Sequence, residues 1–484
     1  MPNETDFRKH LAQRNGRGRL WQSLFFSAIM LGLLMLVILL FSIINQTFGY
    51  VAVKQAIPPE QLANRPLEEL AAPDLAIILQ NNLTKGRMQA VLLENILGTD
   101  VDRSRLADTP IQQLVPANID TSVLVGDKLF AELSVDEIAA LLASNLSTEQ
   151  LLDDVYEKVV GIEYLQSWPL ITSLFNRAAI EQEVAERAEG IGLSPTLSTS
   201  QRDEVMADYA ASELQFFSWL NRNLVTRATS EIPSEAGIRQ GLIGSVMILV
   251  IAMAFSAPVG VGAALYLEEY AKDSKLGQNA VVRWFNQFIE TNIRNLAGVP
   301  SIIYGLLGLA IFARLLEPIT SGQLFLGDAG GPNGRTILSA GLTLGVLILP
   351  VIIINAQEAI RAVPSSIREA SYGLGATKWQ TVSRQVIPAA VPGIMTGIIL
   401  SLSRAIGETA PLIVIGAAVF LSKDPNSPFA SFTTLPITIY NWASQPQAQF
   451  QNAASAAIIV LLLLLLTLNA TAIIVRQRFS RRLQ

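Results

Sequence analysis

Six long apolar runs constrain this chain more than any other feature. They lie at about Trp21–Ile44, Leu242–Leu267, Ala297–Ala313, Ile337–Ile354, Val391–Leu421 and Ala454–Val475. At about 1.5 Å of rise per residue, the longer ones cover a hydrocarbon core of about 30 Å as helices. The third is the shortest, and Pro300 lies near its start. Composition agrees: 50% of residues are hydrophobic, only 15% are charged and the mean hydropathy is +0.39, values that place the chain among polytopic membrane proteins. The first run is too long for a cleaved signal peptide, and no small-x-small site closely follows Phe41-Ser42-Ile43-Ile44-Asn45, so it reads as an uncleaved anchor. There are no cysteines, which excludes disulfides, thiolate metal sites and cysteine nucleophiles. The single histidine, His10, lies in a basic tail, so neither a zinc site nor histidine-based catalysis is expected. No cofactor and no metal follow from the sequence.

Lysine and arginine set the orientation. Residues 1–20 carry five (Arg8, Lys9, Arg14, Arg17, Arg19), and 268–294, 357–390 and 476–484 carry four each. The stretches 316–336 and 422–450 carry one each, Arg335 and Lys423. Both termini are expected in the cytoplasm, with residues 357–390 on the same side. The expected organisation is a cytoplasmic basic tail (1–20), a first membrane helix (21–45), an extracytoplasmic insertion (46–236), a core with five further membrane helices (237–475) and a second basic tail (476–484).

The insertion is acidic. Residues 51–235 hold 28 acidic and 13 basic side chains, against 12 and 22 in the rest of the chain. It is long enough for its own core and reads as mostly helical, with helical spacing in Leu67–Leu97 and Ile138–Val160 and a capping box at Ser134–Glu137. Glu69-Leu70…Ala76…Leu79…Asn82-Leu83…Glu94…Gly98 recurs 63 positions later as Glu132-Leu133…Ala139…Leu142…Asn145-Leu146…Glu157…Gly161. Both a duplicated helical unit and shared amphipathicity account for this. The insertion fits either a docking surface for an extracytoplasmic binding protein or a solvated decoration.

Two features carry function. The first is the polar stretch Arg368-Glu369-Ala370-Ser371-Tyr372-Gly373-Leu374-Gly375 through Val386-Ile387-Pro388. It opens as a helix, turns at two glycines, continues through Lys378, Trp379 and Arg384, and reaches Pro388, where a new helix can begin. Such a segment suits docking to a soluble partner. The second is Arg404 and Glu408 inside the fifth run, spaced to share one helix face. A lone charge at mid-membrane costs about 2.5–3.5 kcal/mol on insertion scales, so each must answer to the other, a neighbouring helix or a polar pathway. Arg404 suits an oxyanion pathway through its planar fork of donors, with Glu408 orienting it. A packing salt bridge is the competing reading. Gly407 and Pro411 bracket the pair, and with Pro258, Pro300 and Pro350 they mark helices expected to bend. Gly298 to Gly305 suits close helix contact.

From about Gly237 onward the chain resembles the permease subunits of ATP-binding-cassette importers, most closely the phosphate permeases of PstA type. The resemblance rests on Gly241–Val246 leading to Ala257–Gly262 and Tyr266–Tyr270, on Asn295-Leu296-Ala297-Gly298-Val299-Pro300-Ser301, on the polar stretch above, and on Arg404-Ala405-Ile406-Gly407-Glu408-Thr409-Ala410-Pro411-Leu412. It covers roughly half the chain and leaves the insertion outside. The family's coupling loop runs Glu-Ala-Ala, three residues, Gly, nine residues, Ile-x-Leu-Pro. Glu369, Ala370, Gly375 and Pro388 fit; Ser371, Gln385 and Ile387 replace the second Ala, the Ile and the Leu. This leaves open what makes the apolar contact of the family's Ile.

The resemblance implies an all-α polytopic fold of the type I importer class with six membrane helices, in a plasma or inner membrane. It also implies a non-catalytic subunit that passes inorganic phosphate inward. Its implied partners are two copies of an ATPase docked at the coupling loop (about 357–390), a second permease of PstC type and an extracytoplasmic phosphate-binding protein. No Gly-x-x-x-x-Gly-Lys-Ser/Thr occurs, so the ATPase must be another polypeptide. A sulfate or molybdate permease fits the coupling loop equally but the narrower motifs less well. A secondary transporter needs no such loop and more often shows inverted repeats.

Overall fold

The computed structural model describes residues 4–97, 109–116, 119–124, 128–230, 232–233, 236–271, 280–326, 332–418, 421 and 424–481. Gly98, Lys272, Lys275, Lys423 and Arg482 lie outside them. The chain divides into two compact units, Tyr50–Phe217 and the remainder.

The chain enters through helix α1 (Glu4–Thr47), whose Trp21–Thr47 part is long and apolar enough to cross a membrane. Strand β1 (Phe48–Gln55) follows directly. Two helical hairpins come next. The first is α2 (Ala72–Asn82) and α3 (Lys85–Leu92), closed by a π turn at Leu93–Leu97. The second is α4 (Val135–Asn145) and α5 (Thr148–Val155), closed by a π turn at Tyr156–Val160. Every boundary in the second lies 63 residues after its counterpart in the first. The buried faces match as well: Leu75, Ala76, Ile78 and Leu79 recur as Ile138, Ala139, Leu141 and Leu142. Asn82 Nδ2 donates to the Ile78 carbonyl at 2.9 Å, and Asn145 Nδ2 to the Leu141 carbonyl at 2.9 Å. Shared amphipathicity alone does not reproduce helix boundaries, π turns and side-chain bonds together, so the unit is duplicated, although the N-cap positions Ala71 and Thr84 lack the side-chain caps of Ser134 and Ser147. Ser134 and Glu137 form the expected capping box, and Ser147 and Gln150 form a second.

The helical reading of this region missed a sheet. Strands β2 (Ile162–Ser167) and β3 (Glu213–Ser218) flank β1 in the order β2-β1-β3 among the described residues, with Val51 opposite Ser167 in an antiparallel pair. Helices α6 (Leu170–Phe175), α7 (Arg177–Ala188) and α8 (Thr199–Ala210) lie between β2 and β3 in sequence. Ala52, Trp168 and Ile180 pack together at their centre. The strands are short, and both partners of β1 lie more than a hundred residues from it in sequence, so no local hairpin signal announced the sheet.

The remainder forms the membrane bundle. Its helices are α9 (Arg239–Leu265, running into a π turn at Tyr266–Tyr270), α10 (Ala280–Leu296), α11 (Ser301–Gly308, with a π turn at Leu309–Leu315) and α12 (Ile337–Arg361). They continue as α13 (Ser365–Gly373), α14 (Lys378–Thr381), α15 (Ile387–Gly407), α16 (Ala410–Ile415), α17 (Leu435–Ala443) and α18 (Ala448–Arg481). Among the described residues, five helices are long and apolar enough to span, or six if α10 and α11 count as one bent span. The core lies between α9 and α12, where Ile248, Ala252, Leu344 and Ile348 are buried together.

Three expectations change here. The third run does not start a helix at Ala297. Pro300 caps α11 instead, and α10 meets α11 at a bend of 110°. Helix α10 sets Ile289 and Ile293 against the bundle while Val281, Trp284, Phe285 and Phe288 stay exposed. The fifth run is not continuous to Leu421. It ends at Gly407, because Pro411 has no N–H to donate to the Gly407 carbonyl and its ring clashes there. The loop read as 422–450 is partly core: Phe432, Thr433 and Thr434 are buried. The Thr433 carbonyl approaches α9 so closely that a Cβ on Gly244 would stand 2.1 Å from it.

At the hairpin junction, the duplicated pattern substitutes Asp154 for the valine at position 91. Asp154 is 7% exposed and accepts from Asn95 Nδ2 at 2.8 Å, beside the Lys158–Glu94 pair at 3.0 Å. Burial pushes its carboxyl up from 3.8 to about 6, with Lys158 opposing the shift and Glu94 and Glu157 adding to it. The folded state therefore binds this proton more tightly than the unfolded chain. The associated stability is full below about pH 4 and is lost as pH rises through about 6. Hydrogen exchange of the α2 and α4 amides in the full-length protein, corrected for intrinsic rates, should be about tenfold faster at pH 7.5 than at pH 5. Asp154→Asn should abolish that difference.

Candidate functional site: the coupling element and the Arg404–Glu408 break

Helix α13 starts after Pro364, whose backbone (φ −56°, ψ 139°) is suited to enter a helix. It ends at Gly373, and the chain reverses at Gly375, where φ is +81°, a conformation that side-chain-bearing residues avoid. Thr377 then caps α14, its Oγ1 accepting from the Gln380 N–H at 3.4 Å. The sequence places a new helix at Pro388; instead the helix begins at Lys378 and runs on to Gly407. A π turn at Val382–Val386 precedes Pro388, and this wider turn admits a residue that lacks an N–H without a fresh start.

Glu369, Ala370 and Gly375 are exposed, as a docking surface requires, and Pro388 is half-buried at its rear. The most exposed apolar groups are Leu374, at 90%, and Trp379; the motif spacing did not single out Leu374. Ser371 Oγ lies 2.9 Å from Thr381 Oγ1, so the residue that departs from the Glu-Ala-Ala pattern ties α13 to α14. Gln385 is exposed, while Val382 and Val386 are buried. Val386 packs with Ile360 and Val363 and so supplies the apolar contact that position 385 does not.

Two ion pairs that the motif spacing did not single out fasten this element. Arg368 Nε and Nη2 donate to Glu269 Oε1 at 3.1 and 2.7 Å. Its Nη1 and Nη2 also donate to the carbonyls of Val363 and Ile360 at 2.6 and 3.0 Å. One guanidinium thus joins the π turn ending α9, the C-terminal end of α12 and the body of α13. Beside it, Arg361 Nη2 pairs with Glu268 at 2.5 Å. Both carboxylates are buried, their side chains only 6% exposed. Lys378 Nζ lies 5.3 Å from the centroid of the Tyr270 ring. The signal available in sequence was Glu268-Glu269 at the end of an apolar run, one helix end away from two arginines.

The second site stands at the α15–α16 break. Arg404 is in the last turn of α15, but Glu408 is not helical: it is the C-cap, with φ −75° and ψ 115°. The pair is nevertheless formed, Nε to Oε1 at 3.4 Å, with Arg404 42% exposed. Among the described residues the Arg404 terminal amino groups make no hydrogen bond. Ser403 Oγ, next in the chain, donates to Asn469 of α18 at 2.7 Å. Helix α11 comes close at this point: a Cβ on Gly305 would stand 2.7 Å from the Pro411 Cα. Gly305 thus serves the close contact expected of it, whereas Gly298 has only ordinary neighbours. No cluster of His, Cys, Asp or Glu suited to a metal occurs among the described residues.

A bundle of spanning helices with a polar, partly exposed hairpin fastened to two helix ends defines a polytopic membrane protein. The family model described as the binding-protein-dependent transport system inner membrane component matches residues 256–484. The "Probable ABC transporter permease protein YqgI" of Bacillus subtilis is 33% identical over 239 residues, 47% of this chain and 73% of that protein. The "Phosphate transport system permease protein PstA" of Haemophilus influenzae is 32% identical over 236 residues, 49% and 74% of the two chains. The PstC protein of Pasteurella multocida is 33% identical over 214 residues, 42% and 64%. The chain belongs to this family of type I ABC importer permeases, the multi-pass, non-catalytic membrane component. The unit Tyr50–Phe217 lies outside the family match.

Glu269→Gln removes the charge that Arg368 answers and leaves a half-buried guanidinium short of a partner. A loss of about 2 kcal/mol is expected, read as about 30-fold faster hydrogen exchange of the α13 amides in nanodiscs. Arg404→Gln should leave α13 exchange unchanged.

Proposed function

We propose that this chain is a permease subunit of an ATP-driven importer of inorganic phosphate. The observation that carries the reading is the pairing of a fastened coupling element with an arginine at a helix break whose terminal donors make no hydrogen bond among the described residues. A desolvated phosphate needs charge-assisted donors along its route, and a planar fork at a break between helices supplies them without first breaking a strong ion pair. Glu408 limits the affinity of Arg404 for the anion and orients it through Nε. The relatives named as phosphate transport permeases support phosphate over other oxyanions. Relatives of PstA and PstC kind match at similar identity, and the Thr409-Ala410-Pro411-Leu412 ending favours the PstA kind.

The ATPase docks on Glu369, Ala370, Leu374 and Trp379. Its displacement of α13 and α14 on binding ATP is carried through Arg368–Glu269 and Arg361–Glu268 into α9 and α12, so the hairpin and these helix ends move as one body. A second permease, two ATPase copies and an extracytoplasmic phosphate-binding protein complete the assembly. Both termini and the coupling loop face the cytoplasm, with residues 46–236 outside.

In proteoliposomes holding the whole assembly, phosphate should stimulate ATP hydrolysis and sulfate should not. Arg404→Ala should lower phosphate uptake about 10- to 100-fold, the worth of a charged hydrogen bond, with the subunits still co-purifying. Loss of co-purification would assign the pair to packing instead.

A further inference from the structure

The unit Tyr50–Phe217 carries an apolar patch that none of its described elements covers. On α6, Ile171, Leu174 and Phe175 share one face and are all exposed, Phe175 to 79% and Leu174 to 64%. Phe216 of β3 is exposed as well and meets Tyr50 edge-on, ring centroids 5.7 Å apart. Large side chains clustered in this way mark a contact surface. The patch is firmly built. The Tyr50 N–H donates to Ser173 Oγ at 2.7 Å, and the Trp168 N–H donates to the Tyr50 carbonyl at 2.8 Å. Arg177 stands over the Tyr50 ring at 5.4 Å and pairs with Glu181 at 2.8 Å, placing a cation at the rim.

Chain connectivity says what lies near this patch. Tyr50 is the third residue after Thr47, the end of the apolar span Trp21–Thr47, so at most about 11 Å of extended chain separates them. Phe216 is the third residue before Trp219, whose N–H donates to the Thr47 carbonyl at 3.1 Å. A helix of 27 residues reaches about 40 Å, enough for the hydrocarbon core and the headgroup layers together. Both ends of the unit that carries the patch are therefore joined, within a few residues of chain, to the end of a spanning helix.

We propose that Ile171, Leu174, Phe175 and Phe216 form a wedge that enters the headgroup–acyl boundary of the bilayer beside α1. Apolar side chains gain by leaving water there, and a rim arginine meets lipid phosphate. The wedge anchors the unit to the membrane surface through α6.

The chain has no cysteine, so single labels test this directly. Spin labels at Leu174→Cys, Phe175→Cys and, as a water-exposed control on α8, Glu204→Cys are placed in the full chain in phosphatidylethanolamine–phosphatidylglycerol nanodiscs. Collisions with oxygen and with a water-soluble nickel chelate are then compared. Oxygen should be favoured several-fold more at 174 and 175 than at 204. A water-like ratio at both sites overturns the wedge. So does protection from both reagents, the signature of a protein cover. Exposed positions tolerate such changes, and Phe216→Cys gives an independent reading if either α6 variant fails to fold.

Discussion

The hairpin end of the bundle depends on one guanidinium. From α13, Arg368 places two hydrogen bonds on Glu269 in the π turn after α9, one on the Ile360 carbonyl of α12 and one on the Val363 carbonyl just beyond it. Glu269 is buried, so an unanswered carboxylate there would carry a heavy desolvation cost. The arginine also satisfies carbonyls that a helix end leaves orphaned. Lysine has neither the reach in two directions nor the planar geometry for this. The hairpin that presents Glu369, Leu374 and Trp379 is consequently no ordinary loop; it is an extension of two membrane helices.

The same physics explains the other departures from simple helices. At three prolines the chain departs from a regular helix, with a π turn before Pro388, a cap at Pro300 and a break after Gly407, whereas Pro258 and Pro350 sit inside the continuous helices α9 and α12. The break matters most, because it moves Glu408 off the helix while keeping it within reach of Arg404. Close approach does the remaining work. Glycines 244 and 305 let a buried loop and the start of α16 sit directly against neighbouring helices.

Much of this was legible in the residues. Apolar length located the spans, because lipid demands it. The spacing of Glu369, Ala370, Gly375 and Pro388 located the hairpin, and the recurrence at 63 residues located the duplicated unit, because helix boundaries and buried faces recur with it. Contacts between distant parts of the chain were not legible. Nothing local joins Glu269 to Arg368, pairs β1 with β3, or says that Thr433 is buried against Gly244. The false reading of a continuous fifth span came from hydropathy, which scores Pro411 by its polarity and ignores its missing donor. The third span was misplaced for the same reason at Pro300.

The central claim is that the coupling hairpin and the end of α9 move as one body. Tyr266 and Leu374 are both exposed, and the cysteine-free chain accepts a spin-label pair at Tyr266→Cys and Leu374→Cys. Their separation should be measured by pulsed dipolar spectroscopy in the assembly with its ATPase, both without nucleotide and with ATP trapped. The account predicts an unchanged 266–374 distance while the distance from 374 to a label at exposed Leu463 of α18 shifts. A 266–374 distance that changes as much as the 374–463 distance would contradict it.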